Sequence, residues 1–352
     1  MTLPVAVVQF FATPVALERN LQTAERLVRA AAASGAQVIV LPELFNIGYV
    51  YTPHLSQVAE AEDGPTTQWL TRLSDELQIL IGGALLLRVK TSEVFKTSEV
   101  YDTFVLVEPG GKSHRYRKQH PFVWEHCFVE SGQEPGIVET GLGRIGLLIG
   151  WDAAFRSAWA ALRGRVDLVL ISSAPPRWHR AVLNFPAAKK VYVADLVPEV
   201  LASRDEIDDW FLGGLGQGAA WVESPVVSAM MAGRFVSALP LARLSFRMLT
   251  AGRPKYHAWA HEANQATLRA TFYGSSAVFE SSGRVVARVA AEEGWAMAKV
   301  SGAVVPNPQD AQRGDDLTAA PDSGAATQPK YWFPGVPSQL DRLETLIKFF
   351  SR

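Results

Sequence analysis

Three ionisable side chains and one glycine lie where predicted strands end, and their types point to acid–base chemistry. Glu43 ends the apolar run "QVIVLPE", Lys118 follows a predicted hairpin, and Glu125 lies seven residues beyond Lys118. A carboxylate can transfer protons, and an ammonium can stabilise developing negative charge. The fourth position, where the strand "RIGLLIG" opens into a turn, is Gly150. Either this glycine forms a structural corner, or the site lacks the nucleophile that such a strand end would display.

The elements that must position these residues alternate between apolar strands and an amphipathic helix. Val5 to Phe10 is a short apolar strand, and Thr13-Pro14 predicts a helix start. The helix has an apolar stripe at helical spacing, formed by Leu17, Leu21, Ala24, Val28 and Ala31. Residues 37–43 and 166–172 read as further buried strands. This strand–helix–strand rhythm predicts an α/β fold with buried sheets.

Two segments depart from that rhythm. Residues 176–256 are long, apolar and helix-like in places, and we predict an enlarged helical insert there. Residues 305–328 are rich in Pro, Asp, Gly and Ala, which is typical of a flexible linker. A helical stripe follows within residues 337–351. We therefore predict one domain over residues 1–303 and a C-terminal tail over residues 304–352.

The bulk composition argues against several classes of function. The chain has 352 residues, 48% of them hydrophobic, and a formal net charge of −1, so no overall field favours nucleic acid. Its single cysteine, Cys127, cannot form an internal disulfide. The longest apolar stretch, Ser224 to Phe246, is interrupted by Arg234, Pro240 and Arg243, so we predict no transmembrane segment. The start "MTLPVAVVQFF" reads as a strand and not as a signal peptide, and we expect a cytoplasmic protein.

Two histidines have the spacing of metal ligands. His257 and His261 are four residues apart, as on one face of a helix, but Ala258 stands where a zinc protease motif has glutamate. No other His/Cys cluster supplies a third ligand. We predict no metal site and no cofactor.

Four quoted motifs carry a resemblance to a known family. They are "LPEL", "YRKQH", "WEHCFVESGQEPGIVETGLGRIGLLIGWD" and "FYGSSAVFESSGRVV". In their order and spacing the chain resembles the nitrilase (carbon–nitrogen hydrolase) superfamily, from Val5 to about Ser173 and again from about Asn264 to Val300. The resemblance implies a four-layer α–β–β–α sandwich that pairs into homodimers or higher homo-oligomers.

The resemblance also implies roles for the four strand-end positions. Glu43 corresponds to the general base, Lys118 to the cation that stabilises the tetrahedral intermediate, and Glu125 to a second glutamate that positions it. Gly150 corresponds to the nucleophilic cysteine. Cleaving an amide or nitrile needs a thiolate, and a neighbouring carboxylate takes its proton and later passes one to the departing ammonia. Glycine has no sulfur, so the covalent intermediate cannot form at this position.

The residues after Gly150 follow the family pattern only in part. Trp151 and Asp152 match it and are expected at the substrate pocket. Phe155 also matches, but Arg156-Ser157 replaces a Pro-Glu pair. The site has therefore changed at more than one position.

Three functional hypotheses remain open. The first is a carbon–nitrogen hydrolase for a small amide or nitrile, inactive or strongly impaired because of Gly150. The second is a non-catalytic ligand-binding or regulatory protein that holds an amide, nitrile or carboxylate near Lys118. The third is hydrolysis by a water that Glu43 activates, which is disfavoured because nothing in the sequence supplies a metal to activate it. Cys127 is disfavoured as a substitute nucleophile, since it lies far along the chain from the strand corner.

Overall fold

A computed structural model describes residues 2–52, 55–92, 97–196, 204–301 and Ile347, and strands and helices alternate through them. The strands are β1 (Thr2–Gln9), β2 (Val38–Val40), β3 (Leu80–Ser92), β4 (Thr97–Val107), β5 (Ser113–Arg117), β6 (Ile137–Thr140), β7 (Gly143–Ile149), β8 (Leu168–Ser173), β9 (Val182–Asn184), β10 (Lys190–Tyr192), β11 (Val226–Met230), β12 (Arg234–Ala238), β13 (Thr267–Thr271), β14 (Ala277–Phe279), β15 (Val285–Arg288) and β16 (Gly294–Ser301). The α-helices are α1 (Leu17–Ala33), α2 (Pro65–Leu77), α3 (Arg156–Leu162), α4 (Val193–Leu196), α5 (Arg204–Asp209), α6 (Leu215–Val222) and α7 (Ala242–Leu249). The predicted linker 305–328 lies outside the described residues, as does the predicted helix 337–351 apart from Ile347.

Two six-stranded sheets form the centre of the fold. The first has the strand order β16-β1-β2-β3-β4-β5, and the second has the order β15-β14-β11-β8-β7-β6. Alternate residues of each strand face opposite sides of its sheet. Val5 and Val7 of β1 pack against Leu147 of β7 and Leu170 of β8, in a core between the two sheets. The inner strands β2, β8 and β11 are buried on both faces, which explains their nearly continuous apolar sequences.

Helices cover the two outer faces. Val28 of α1 and Leu73 of α2 pack on the first sheet, against residues such as Val8. Trp159 of α3 and Ala219 of α6 pack on the second sheet. The predicted four-layer α–β–β–α sandwich is confirmed by these layers.

Segment 176–256 differs from the predicted helical insert. It contains the strands β9 to β12 as well as the helices α4 to α7, and β11 lies between β14 and β8 in the second sheet. All five residues of β11 are buried, so its sequence lacks the alternation that would have marked it as a strand. A third, four-stranded sheet has the order β10-β9-β13-β12. Within the described ranges, no helix combines the length and apolar character that crossing a bilayer requires.

One serine joins the two sheets close to their strand ends. Ser172 Oγ donates to the carbonyl of Leu41 at 2.8 Å and accepts from the backbone N–H of Ala84 at 2.9 Å. Ser172 is fully buried at the end of β8, whereas Leu41 belongs to the loop after β2 and Ala84 to β3 of the first sheet. These bonds hold the ends of β2 and β8 side by side, which brings Glu43 to the second sheet.

Candidate active site

The predicted site residues come from both sheets and meet between them. Glu43 follows β2 and Lys118 follows β5 in the first sheet, whereas Gly150 follows β7 in the second. Glu125 lies in a 3₁₀ turn, Val123–Cys127, that packs over the strand ends. The structure brings all four positions together, because the ends of β2, β5 and β7 converge where the two sheets pack against each other and the 3₁₀ turn places Glu125 against Lys118.

Lys118 is the centre of the cluster. Its Nζ lies 2.6 Å from Glu43 Oε1, 2.7 Å from Glu125 Oε2 and 3.5 Å from Asp102 Oδ2. Only 1% of Lys118 and 1% of Glu43 is exposed to solvent. One ammonium therefore faces three carboxyl groups, and all four side chains are almost fully buried.

Asp102 is the member of this cluster that the sequence analysis missed. It lies within β4, and its backbone carbonyl accepts a hydrogen bond from the Lys118 N–H at 2.9 Å. Burial and the neighbouring Glu43 carboxylate raise the pKa of Asp102 well above its ordinary value. The signal available in the sequence was an acidic residue inside an otherwise apolar strand, "VYDTFVLV". A buried acid with a raised pKa favours its neutral form, which lowers the negative charge that Lys118 must balance.

The pKa values of Lys118 and Glu43 reflect opposing influences. Burial lowers the pKa of Lys118, but attraction from Glu125, Glu43 and Asp102 outweighs burial and holds that pKa well above its ordinary value. Burial raises the pKa of Glu43, and the nearby Lys118 ammonium opposes that rise. Lys118 is therefore a permanent cation, and Glu43 is a carboxyl group with an increased affinity for protons.

Backbone and tyrosine donors fix the two glutamates. The N–H of Ala174, just beyond β8, donates to Glu43 Oε2 at 2.7 Å. The N–H of Phe122 donates to Glu125 Oε2 at 2.6 Å, and the hydroxyl of Tyr49 donates to Glu125 Oε1. Each carboxyl group is thus held by a backbone donor in addition to Lys118.

Gly150 occupies the position from which a side chain would reach this cluster. Its φ angle is +47°, in the left-handed region that side chains other than glycine rarely adopt. A Cβ built on Gly150 would lie 2.7 and 2.8 Å from the two carboxyl oxygens of Glu43 and 3.0 Å from Lys118 Nζ. A side chain at this position would therefore contact the Glu43 carboxyl group and the Lys118 ammonium. In this chain the two groups lie directly against the glycine.

Trp151 and Asp152, which were expected at the pocket, lie in different surroundings. Trp151 lines the pocket beside Gly150. Asp152 is fully buried and does not line it. Its Oδ2 accepts from the Tyr116 hydroxyl at 2.8 Å, and its Oδ1 accepts from the His120 backbone N–H at 2.8 Å. Asp152 therefore fixes the corner after β7, and its place in a substrate pocket stays a prediction.

The cluster forms the floor of an apolar pocket. The space that atoms leave empty in the pocket is about 890 Å³, a figure that includes its open mouth. Its walls carry aromatic side chains from the 3₁₀ turns around residues 123–127, 150–154 and 178–180 and from the π-helical turn Trp210–Gly214. Polar groups are concentrated at the floor, so a ligand would place its polar end there.

The remaining candidate residues lie away from the pocket. Cys127 is half-buried, and burial raises the pKa of its thiol to about 11. His257 and His261 lie in a 3₁₀ helix, Pro254–Gln265, where three residues per turn place positions four apart on different faces. Among the described residues, no three His, Cys, Asp or Glu side chains are arranged to hold a metal ion.

Comparison with solved structures places the fold among known hydrolases. A CN-hydrolase superfamily protein of Xanthomonas campestris superposes with a TM-score of 0.59 at 19% identity, over 89% of this chain and 95% of that one. A carbon-nitrogen hydrolase of Helicobacter pylori superposes with a TM-score of 0.60 at 16% identity, over 85% and 89% of the two chains. At these identities the likeness is one of fold.

Comparison with sequences defines the family. The omega-amidase YafV of Escherichia coli is 31% identical over 161 residues, which are 45% of this chain and 55% of that protein. A nitrilase of Pyrococcus abyssi is 32% identical over 143 residues, which are 39% and 52% of the two proteins. The chain thus spans about half the length of these relatives. The sequence profile of the family described as carbon-nitrogen hydrolase matches residues 4–195, more than half of the chain, and the chain belongs to this family.

Proposed function

We propose that this chain binds a small amide or a related ligand on the Glu43–Lys118–Glu125 floor and does not cleave it by the covalent route. The observation that carries the proposal is the geometry at Gly150. A Cβ there would lie within 3.0 Å of both Glu43 and Lys118. A nucleophile at this position would therefore lie beside a base and a stabilising cation. The position holds no thiol, so the chain has the partners of a nucleophile without the nucleophile.

The pocket walls supply no substitute. Among the described residues that line the pocket, none is Ser, Thr or Cys. The one hydroxyl in the lining belongs to Tyr49, which donates to Glu125. Burial and the Glu125 carboxylate raise the pKa of Tyr49 well above its ordinary value, so this hydroxyl stays protonated. A neutral phenol that is already bonded to a carboxylate is a poor nucleophile.

The polar floor keeps its ability to orient a ligand. Glu43 and Glu125 present acceptor oxygens that Lys118 and the backbone N–H groups of Ala174 and Phe122 hold in place. In a relative with a thiol at the position of Gly150, Glu43 is placed to take the thiol proton, and Lys118 is placed to stabilise an oxyanion. In this chain the same groups serve to recognise the ligand, because ligand recognition depends on their positions and does not require a nucleophile.

Ammonia release and ligand binding together test the proposal. The protein and its Gly150→Cys variant would be assayed for ammonia release from a panel of amides and nitriles, and ligand binding would be measured by calorimetry. We expect the unmodified protein to bind without releasing ammonia. The matched control, Gly150→Cys combined with Glu43→Gln, keeps the new thiol but removes the base, and it should be inactive even if Gly150→Cys gains activity.

Turnover by the unmodified protein would overturn the proposal. If Glu43→Gln abolished that turnover, a water activated by Glu43 would be the nucleophile. If Cys127→Ala abolished it, the thiol of Cys127 would reach the substrate after all. An absence of binding for every member of the panel would also overturn the proposal, because the floor would then not recognise amides.

A further inference from the structure

The body of the pocket is a connected aromatic surface. The ring centroids of Phe122 and Trp151 lie 5.0 Å apart, those of Phe122 and Trp178 lie 5.5 Å apart, and those of Trp124 and Trp178 lie 5.6 Å apart. Phe122 and Trp178 are stacked, whereas Phe122 and Trp151 meet edge to face. All four rings line the pocket. Such a wall favours flat apolar groups, which gain area burial and ring–ring contacts.

The charges around the pocket disfavour a second carboxylate on the ligand. Lys118 is the one Lys or Arg side chain among the described lining residues, and it is already surrounded by carboxyl groups. His179 also lines the pocket, but its Nδ1 lies 3.6 Å from Asp208, and its Nε2 accepts from Arg180 Nε at 3.1 Å. Among the lining residues that the structure describes, a carboxylate placed among the aromatic rings would find no Lys or Arg side chain other than Lys118. Burying a charge without a partner is strongly unfavourable.

The floor disfavours a carboxylate as the polar head group as well. The Lys118 ammonium has three N–H bonds, and Glu43, Glu125 and Asp102 all lie within 3.5 Å of its nitrogen. A ligand oxygen that approaches the floor therefore meets more carboxyl groups than free donors. A primary amide instead offers two N–H donors, and the remaining lone pairs of the glutamate oxygens can accept them.

We propose that the ligand is the primary amide of a flat, apolar acyl group such as an arylacetyl group. The amide N–H groups bind at Glu43 and Glu125, and the ring lies against Trp151 and Trp178. The same pocket discriminates against the corresponding free acid and against amides whose acyl group carries a second carboxylate. This inference rests on the proposed function, since it assumes that the floor receives an amide.

Calorimetric titration of the full chain tests this preference with three probes. Phenylacetamide has the proposed head and body, phenylacetate has the same body with a carboxylate head, and succinamate has an amide head with a second carboxylate. We expect phenylacetamide to bind at least about tenfold more tightly than either of the others, a difference of about 1.4 kcal/mol.

A pair of charge-introducing variants links the preference to the pocket. Ile207 is half-buried and lines the pocket from α5, so Ile207→Arg would supply the missing counter-charge. Leu212 is similarly half-buried on the following π-helical turn but does not line this pocket, so Leu212→Arg is the matched control. Ile207→Arg should improve succinamate binding at least about fivefold, roughly 1 kcal/mol, whereas Leu212→Arg should leave it unchanged.

The outcomes separate this inference from the proposed function. Succinamate binding as tightly as phenylacetamide, or a Leu212→Arg effect equal to that of Ile207→Arg, would overturn the inference and leave amide binding intact. Phenylacetate binding more tightly than phenylacetamide would overturn the head-group assignment. Ammonia release from phenylacetamide would contradict the absence of turnover but support the substrate class. If no probe bound, both proposals would fail.

Discussion

Replacing Lys118 with methionine removes the one cation from a buried group of three carboxyl groups. Methionine has a similar length and no charge, so the change acts mainly on electrostatics. Breaking a buried ion pair by removing one partner costs about 3–5 kcal/mol, because the other partner stays buried without compensation. We expect Lys118→Met to lose about this much free energy of unfolding at neutral pH, since Lys118 is 1% exposed and contacts Glu43 and Glu125 at 2.6 and 2.7 Å.

The loss should depend on pH with a predictable sign. The pKa values of Glu43 and Asp102 are already raised in the folded protein, and removing the ammonium raises them further. An acid whose folded pKa lies above its unfolded value stabilises the folded state at low pH, and this stability is lost as pH rises through the folded pKa. Each extra proton bound on folding is worth about 1.4 kcal/mol per pH unit. Lowering the pH from about 7.5 to about 5.5 should therefore reduce the deficit of Lys118→Met by about 2–3 kcal/mol per extra proton.

Urea unfolding at several pH values, followed by tryptophan fluorescence, measures this effect. The matched control is Lys112→Met, because the Lys112 side chain is 64% exposed and lies 3.5 Å from Glu108. The control should change stability by less than about 1 kcal/mol, as is usual for exposed ion pairs. A Lys118→Met deficit below about 1 kcal/mol, or one that stays constant between the two pH values, would refute this electrostatic account.

Four further changes probe the site and its supports. Gly150→Ala should lower the free energy of unfolding by more than Gly164→Ala. Both glycines have positive φ, at +47° and +68°, so both substitutions carry the backbone cost of about 1–2 kcal/mol, but only at Gly150 do other atoms lie within 4 Å of the added Cβ. Calorimetric melting compares the two variants. Asp102→Asn should change the free energy of unfolding little at neutral pH, since the buried acid favours its neutral form. Above the folded pKa of Asp102 the variant should become more stable relative to the unmodified protein, which urea unfolding at rising pH detects. Asp152→Asn should cost about 1.5–3 kcal/mol by weakening charge-assisted bonds to Tyr116 and His120, as measured by urea unfolding. Ser172→Ala should cost about 1–3 kcal/mol in the same assay, because it leaves Leu41 O and Ala84 N buried without this partner.

Sequence reasoning succeeds here where chain direction determines position. Glu43, Lys118 and Gly150 each follow a strand, so the sequence indicates that each lies at a strand end, and the packing of the two sheets then brings these ends together. Glu125 was harder to place because it lies in a short turn, and its position depends on contacts with the Phe122 N–H and Lys118. The roles of these residues, the homodimer, the cytoplasmic location and the domain boundaries stay predictions.

Other features depend on contacts that local sequence does not encode. Asp102 is an isolated acid in β4, and only the register of β4 with β5, in which Thr103 lies opposite Arg117, shows that it faces Lys118. Asp152 follows the strand corner as a pocket residue would, yet its side chain turns inward to Tyr116 and His120. The strand β11 is buried throughout, so the apolar segment around it looked helical. In each case the deciding partner lies far away along the chain.

The meeting of the two sheets at the candidate site has a thermodynamic consequence. Glu43 and Lys118 extend from one sheet, whereas Gly150 and Ala174 extend from the other, so a ligand that contacts all of them binds only when the sheets are docked. Ligand binding is then linked to the folding equilibrium of the whole sandwich. A ligand at one hundred times its Kd would add about 2.7 kcal/mol to the free energy of unfolding. A shift in melting temperature would therefore report ligand binding to the folded sandwich without any need for turnover.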